Sequence, residues 1–156
     1  MGCRARTVNH PVRRPELFAD SSFHYALSDF TERHHEPCIS LLRQLVASGG
    51  RLLTTNLIVA ETHALLLSRL GRKSALDWLR GIGQAVSVVR VTEADEKAAL
   101  EILTRYDDKN FSFVDATSFS ITERLGITTA LSLDTHFVQY GRFLVLPLEG
   151  ERLPGP

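Results

Sequence analysis

No apolar run in the 156 residues approaches the ~20 needed to cross a bilayer, which leaves a membrane out as a partner. Cysteine is almost absent. Cys3 and Cys38 stand far apart in the chain, which excludes a disulfide framework or a zinc site and fits a reducing cytoplasm. Neither sign of charge dominates: 18 Lys and Arg balance 18 Asp and Glu, so bulk electrostatics give no pull toward nucleic acid. Any basic surface has to be local. There is no Walker-type loop, no Gly-rich dinucleotide fingerprint, no internal repeat and no low-complexity tract. Residues 1–14 carry Arg4, Arg6, Arg13 and Arg14 without one acid, yet lack the apolar stretch of a secretory signal. Residues 1–15 are therefore expected to be a disordered extension; a basic arm that touches nucleic acid is the sharper alternative.

What remains is an ordinary globular composition, 44% hydrophobic and 23% charged, in a length that suits one domain. Short apolar strands are expected at Glu16–Asp20, with Asp20 at the C-terminal end, Arg51–Thr54, Val86–Val91, Thr128–Leu133 and Arg142–Leu148. Between them lie helical patterns. One runs from Ser21 or Ser22 to Phe30, and the next has Pro37 in its first turn and the apolar stripe Ile39, Leu42, Leu45 and Val46. Leu57–Leu70 is stopped by Gly71 and followed by Ser74–Gly81, which predicts a helical hairpin. Thr92 with Asp95 starts another helix, and Val114–Leu125 is closed by Gly126. Alternation of this kind predicts an α/β/α sandwich with a mostly parallel sheet over residues 16–148, and a Gly- and Pro-rich tail over 149–156.

Four acids sit in apolar surroundings: Asp20 after Leu17-Phe18-Ala19, Glu61 within Leu57–Leu67, Asp115 within Phe111–Ala116, and Asp134 after Leu131-Ser132-Leu133. An ionised carboxylate is rarely buried without a cation or hydrogen-bond donors to meet it. Taken singly, each has a simpler reading. Asp20 and Asp134 fall at strand-to-helix junctions, where aspartate is a favoured N-cap, and Asp115 falls in a first helical turn. Glu61 is harder to dismiss, because helical spacing puts it on one face with Leu57, Ala64 and Leu65. An exposed face, or a salt bridge to Arg43 or Arg124, is the alternative.

Together the four predict one shared site. Like charges within ~4–6 Å disfavour ionisation, and a divalent cation reverses that penalty. Mg²⁺ or Mn²⁺ suits an all-oxygen donor set, and such an ion assists hydrolysis of a phosphodiester. Other polar groups carry less. His34-His35-Glu36 reads as a solvated loop, His63 as structural and His136 as a surface residue with a phosphate within its reach. Arg69, Arg72, Lys73 and Arg80 offer a local basic patch or simply a solvated helix face. Trp78, with Leu76 and Leu79, marks a dimer surface or covers the core.

The segments Leu17–Ser22, Thr54–Glu61, Tyr106–Ala116 and Ser132–Phe137 resemble PIN domains, most closely the VapC-type toxin ribonucleases of toxin–antitoxin pairs. The resemblance runs from about Leu17 to Leu148. It implies a metal-dependent endoribonuclease whose acidic pocket is built from Asp20, Glu61, Asp115 and Asp134 around Mg²⁺ or Mn²⁺. Asp20 and Asp115 are then the direct ligands, and Glu61 and Asp134 act through water or as general base. Ser21 and Ser132 match hydroxyl positions that line the pocket, and Asp108 matches a recurrent loop acid. RNA substrate, a cognate antitoxin and a homodimer are the implied partners. Two readings compete: a non-catalytic module of the same fold that binds RNA or protein, and a phospho-acceptor domain. The latter needs a lysine near a late strand, and none is present around Thr128–Leu133 or Arg142–Leu148.

Overall fold

The computed structural model describes residues 14–147; the N-terminal segment before Arg14, with Cys3, and the tail from Leu148 onward lie outside the described residues. Five strands, β1 (Glu16–Ala19), β2 (Arg51–Thr55), β3 (Ser87–Val89), β4 (Thr129–Leu131) and β5 (Leu144–Leu146), form one sheet in the order β3-β2-β1-β4-β5. Every neighbouring pair is parallel. Six helices connect them: α1 (Ser21–Ser28), α2 (His35–Ala47), α3 (Asn56–Ala85), α4 (Glu93–Arg105), α5 (Phe113–Arg124) and α6 (Thr135–Tyr140).

Strand side chains alternate between the two faces of the sheet, and here they divide two cores. Phe18, Leu53, Ala130 and Val145 face a core shared with Ala99 and Ile102 of α4 and Phe119 of α5. Leu17, Ala19, Leu52, Leu131 and Leu146 face the other, with Phe23 of α1 and Cys38, Leu41 and Leu45 of α2. Helices thus cover both faces, which is the expected three-layer sandwich. Burial pushes the Cys38 thiol up to about 12, with nearby Glu32 adding to the effect, so this cysteine is an inert part of the core.

Several boundaries differ from expectation. The last three strands span only three residues each. Helix α1 stops at Ser28 because Asp29 turns the chain, its carboxylate accepting from Thr31 N and Oγ1; Phe30 falls beyond the helix and is 84% exposed. In α2 the inward stripe is Cys38, Leu41 and Leu45, while Val46 points outward. His35 and Glu36 begin this helix and are not a solvated loop; His35 Nδ1 meets Ala26 O at 2.8 Å and ties α2 to α1. Gly71 does break α3, with φ 83° and ψ 172°. The second half, however, runs past Gly81 to Ala85, held by Ile82 against the second core.

Asp20 directly follows β1, and Ser132 directly follows β4, its neighbour in the sheet. From β1 the chain order proceeds to β2 on one side and to β4 on the other. This is a topological switch point, where a crevice opens at the carboxyl ends of parallel strands.

Candidate active site

The crevice is built by helix starts. Asp20 caps α1: its Oδ2 accepts from Ser22 N at 3.4 Å and Ser22 Oγ at 2.8 Å. Asp134 caps α6 through Oδ1, which accepts from His136 N at 2.9 Å. Asp115 is the third residue of α5 and closes a capping box, its Oδ2 accepting from Ser112 N at 2.7 Å while Ser112 Oγ accepts from Asp115 N. Capping and site roles are therefore not alternatives. Each aspartate uses one oxygen to start its helix, and that bond fixes where the other oxygen points.

Hydroxyl bridges join the acids. Ser132 Oγ donates to Asp20 Oδ2 at 3.0 Å and accepts from Asp134 N at 3.0 Å, so one side chain positions two acids on neighbouring connections. Ser21 Oγ donates to Glu61 Oε2 at 2.5 Å. Both serines expected in the pocket are in it. Ser22 belongs to it as well, since its Oγ also accepts from Leu133 N at 2.9 Å.

Glu61 corrects the sequence reading of α3. The buried residues of that helix segment are Ile58, Thr62 and Leu66, so the face with Leu57, Ala64 and Leu65 is not directed at the core. Glu61 instead points into the crevice. Neither Arg43 nor Arg124 meets it; Arg124 is engaged by Asp95.

Electrostatics separate Asp20 from the structural acid Asp95. Burial, reinforced by the negative Glu61, pushes the Asp20 carboxyl up to about 6, although Ser22, Ser21 and Ser132 donate to its charged form. Burial also works to raise Asp95, but the Arg124 guanidinium and Thr92 outweigh it and hold its pKa low. Among the described residues, none of Asp20, Glu61, Asp115 and Asp134 is ion-paired to a lysine or arginine. Four carboxylates converging without a cation of the chain's own make a donor set that fits a hard divalent ion.

Sequence reasoning missed His136. It is half-buried rather than a surface residue, with Nδ1 2.8 Å from Asp115 Oδ2 and 3.6 Å from Asp134 Oδ1. Metal-ligating atoms of Asp115, Asp134 and His136 all lie within 4.8 Å of one another. Asp20, expected to pair with Asp115 on the ion, stands outside that triad and connects to it through Ser132. The position of His136 two residues after Asp134 was the available signal: the first turn of a capped helix folds back over its cap.

The remaining candidates lie elsewhere. Asp108 is exposed and paired with Lys109 at 2.7 Å. Lys73 and Arg80 flank Asp77, at 2.7 and 4.0 Å, which neutralises part of the basic patch. Trp78 packs edge-on against the buried His24 ring, centroids 5.7 Å apart, and so covers α1. A cleft of about 470 Å³ sits at the starts of β2 and β3, bounded by Leu42, Val46, Arg51 and Val88. It is at the opposite end of the strands from the acids and contains none.

Known proteins share this arrangement of elements. The family model for the PIN domain matches residues 17–142. The 23S rRNA-specific endonuclease VapC20 of Mycobacterium tuberculosis is 34% identical over 133 residues, spanning 84% of this chain and 98% of that protein. Ribonuclease VapC26 of the same organism is 29% identical over 141 residues, 84% of this chain and 100% of its own. The crystal structure of VapC20, a sarcin–ricin loop cleaving toxin, matches with a TM-score of 0.73 over 84% of this chain and 99% of that one. VapBC2 of Rickettsia felis, solved on promoter DNA, matches at TM-score 0.64 over 84% and 97% of the two chains; at 9% identity this is a likeness of fold.

Proposed function

The chain belongs to the PIN domain family, and from that premise we propose that it is a metal-dependent endoribonuclease, hydrolysing RNA phosphodiester bonds as the toxin of a toxin–antitoxin pair. The observation that carries this reading is the gathering of four carboxylates at the ends of β1 and β4 with no lysine or arginine among the described residues to neutralise them. A scaffold that only binds RNA or protein has no reason to gather such charges or to bury Asp20, whose pKa burial raises to about 6 with a smaller contribution from Glu61.

Asp20 and Asp115 are the residues proposed to hold Mg²⁺ or Mn²⁺, each offering the oxygen that its capping bond leaves free. When bound, the ion supplies a lowered pKa for attacking water and neutralises charge on the phosphodiester. Glu61 is fixed through Oε2 by Ser21, so its Oε1 is free to hold the attacking water and take its proton. Asp134, set by Ser132 through its backbone N–H, orients water on the opposite side of the crevice. Ser132 keeps Asp20 and Asp134 in register and so carries the geometry between the strands.

The similarity to VapC20 makes a structured rRNA loop the first substrate to test. An antitoxin that covers the crevice, a homodimeric assembly and a cytoplasmic location complete the proposal. Among the described residues, no helix is long and apolar enough to cross a membrane. The test is cleavage of structured RNA, including a sarcin–ricin loop oligonucleotide, with Mn²⁺ or Mg²⁺ against EDTA and with Asp115→Asn alongside. Metal-dependent cleavage lost in the variant is the expected result. Equal cleavage by both proteins would remove Asp115 from the mechanism, and Mn²⁺ binding without cleavage of any RNA would favour the binding module.

A further inference from the structure

We infer that His136 is a nitrogen ligand of the metal site and biases it toward Mn²⁺ over Mg²⁺. The inference rests on the proposed function, because it adds a donor to the ion which that reading requires. His136 Nδ1 is the ring nitrogen turned to the acids, 2.8 Å from Asp115 Oδ2 and 3.6 Å from Asp134 Oδ1.

Three features hold it there. Asp134 accepts the His136 backbone N–H, which sets the start of α6. Phe137, the next residue, is fully buried and stacks on Phe18, which anchors the helix beneath the ring. The imidazole itself lies edge-to-face against Phe111, centroids 5.6 Å apart. A surface histidine would be free to swing into solvent; this one is braced from behind with one nitrogen presented to two carboxylates.

The geometry is that of a mixed donor set. Three atoms from α5, the α6 cap and α6 fall within 4.8 Å of one another, two oxygens and one imidazole nitrogen. Without the ion Nδ1–H donates to Asp115 Oδ2; an ion bound at Nδ1 takes the place of that proton, and the neutral imidazole then carries its proton on Nε2. Mg²⁺ demands oxygen ligands and retains much of its water, whereas Mn²⁺ and the later divalent ions accept imidazole readily. A nitrogen placed beside Asp115 and Asp134 therefore separates two ions that an all-carboxylate site would treat more alike.

The experiment is pulsed electron paramagnetic resonance of Mn²⁺ bound to the full chain, with His136→Gln, His136→Ala and Asp115→Asn beside it. Mn²⁺ bound by the wild type should show ¹⁴N hyperfine coupling from a directly coordinated imidazole, absent in both His136 variants. Mn²⁺ affinity should fall roughly tenfold or more in those variants, and Mg²⁺ affinity, measured by competition, should fall much less. Thermal unfolding checks that each variant is folded, and two different replacements keep the test open should one of them be unstable. Mn²⁺ binding that is lost in Asp115→Asn but shows no nitrogen coupling would overturn the role of His136 and keep the acidic site. Failure of the wild type to bind Mn²⁺ at all would overturn both.

Discussion

Ser21 Oγ and Glu61 Oε2 are 2.5 Å apart, so the first residue of α1 and the sixth of α3 share one hydrogen bond across 40 positions of sequence. Glu61 has no other hydrogen-bond donor among the described residues to fix its side chain, which is long and exposed. Without that anchor the carboxylate would sample rotamers over the crevice and lose the alignment proposed for it with the attacking water.

Ser21→Ala is therefore expected to lower kcat/KM on RNA by roughly 10- to 100-fold, the usual cost of losing a supporting contact at such a site. Stability should change by less than about 1.5 kcal/mol, because one hydrogen bond at a solvated edge contributes little net. Ser21→Thr, which keeps the hydroxyl, should recover much of the rate. Steady-state cleavage and urea unfolding of the two variants measure this directly; equal activity of Ser21→Ala and the wild type would remove the bridge from the mechanism.

Asp20→Asn should separate folding from function. At neutral pH the wild-type carboxyl is ionised in a buried place that would hold it protonated up to about 6. Relief of that cost should stabilise the metal-free protein at pH 7.5 by up to about 3 kcal/mol, at about 1.4 kcal/mol for each unit of pKa displacement. The same change should abolish the rise in Tm that Mn²⁺ gives the wild type. Calorimetric scans with EDTA and with Mn²⁺ test both halves, and a variant less stable than wild type in EDTA would contradict the electrostatic account.

His24 gives the opposite pH dependence. It is 1% exposed, its Nε2 has no hydrogen-bond partner among the described residues, and burial lowers its pKa to about 4 from 6.5. Between those values the unfolded chain takes up a proton that the folded chain refuses, so stability falls as pH drops from about 6.5 to about 4. Asp20 works the other way: the folded chain holds a proton that the unfolded chain releases, so stability falls as pH rises from about 3.8 to about 6. Each amounts to about 3 kcal/mol, and the two largely offset. Single substitution should uncover the partner. In EDTA, His24→Leu should gain stability as pH falls from 6 to 4.5, and Asp20→Asn should lose it steeply over the same range. Urea midpoints at several pH values decide the matter.

Much of this was legible in the sequence. Leu17-Phe18-Ala19 and Thr129-Ala130-Leu131 are short apolar runs that end in acids or serines, and a parallel sheet brings such ends together. The faces of the helices were less legible. Thr62 is fully buried between Ile58 and Leu66, so a polar residue breaks the stripe by which the inward face of α3 would be recognised. In α2 apolar residues occur on both sides, and only contact with the sheet selects Leu41 over Val46. His136 was only half signalled, by its place two residues after Asp134, and the rest was hidden for another reason. Its partner Asp115 is 21 residues away, and their meeting depends on how α5 and α6 dock.

A buried acid is not by itself a site, and Asp95 supplies the control. It is as deeply buried as Asp20, yet Arg124 Nε and Nη2 grip its two oxygens at 2.8 and 3.1 Å, and it caps α4 with Thr92. The pair clamps α4 to the last residue of α5, whereas Asp115 sits in the first turn of α5, about 14 Å away along a helix that rises 1.5 Å per residue. Arg124→Ala leaves the Asp95 carboxylate buried without a cation, with only the Thr92 donors on Oδ2, and should cost about 2–4 kcal/mol of stability. Cleavage measured well below the lowered Tm should stay within about twofold of wild type, because helix packing at the far end leaves the capping box of Ser112 and Asp115 intact. Asp115→Asn should show the reverse, with activity lost and Tm kept. If Arg124→Ala lost activity while folded, the clamp would be transmitting geometry to the acids, and the division between a charge held by arginine and charges left for a metal would fail.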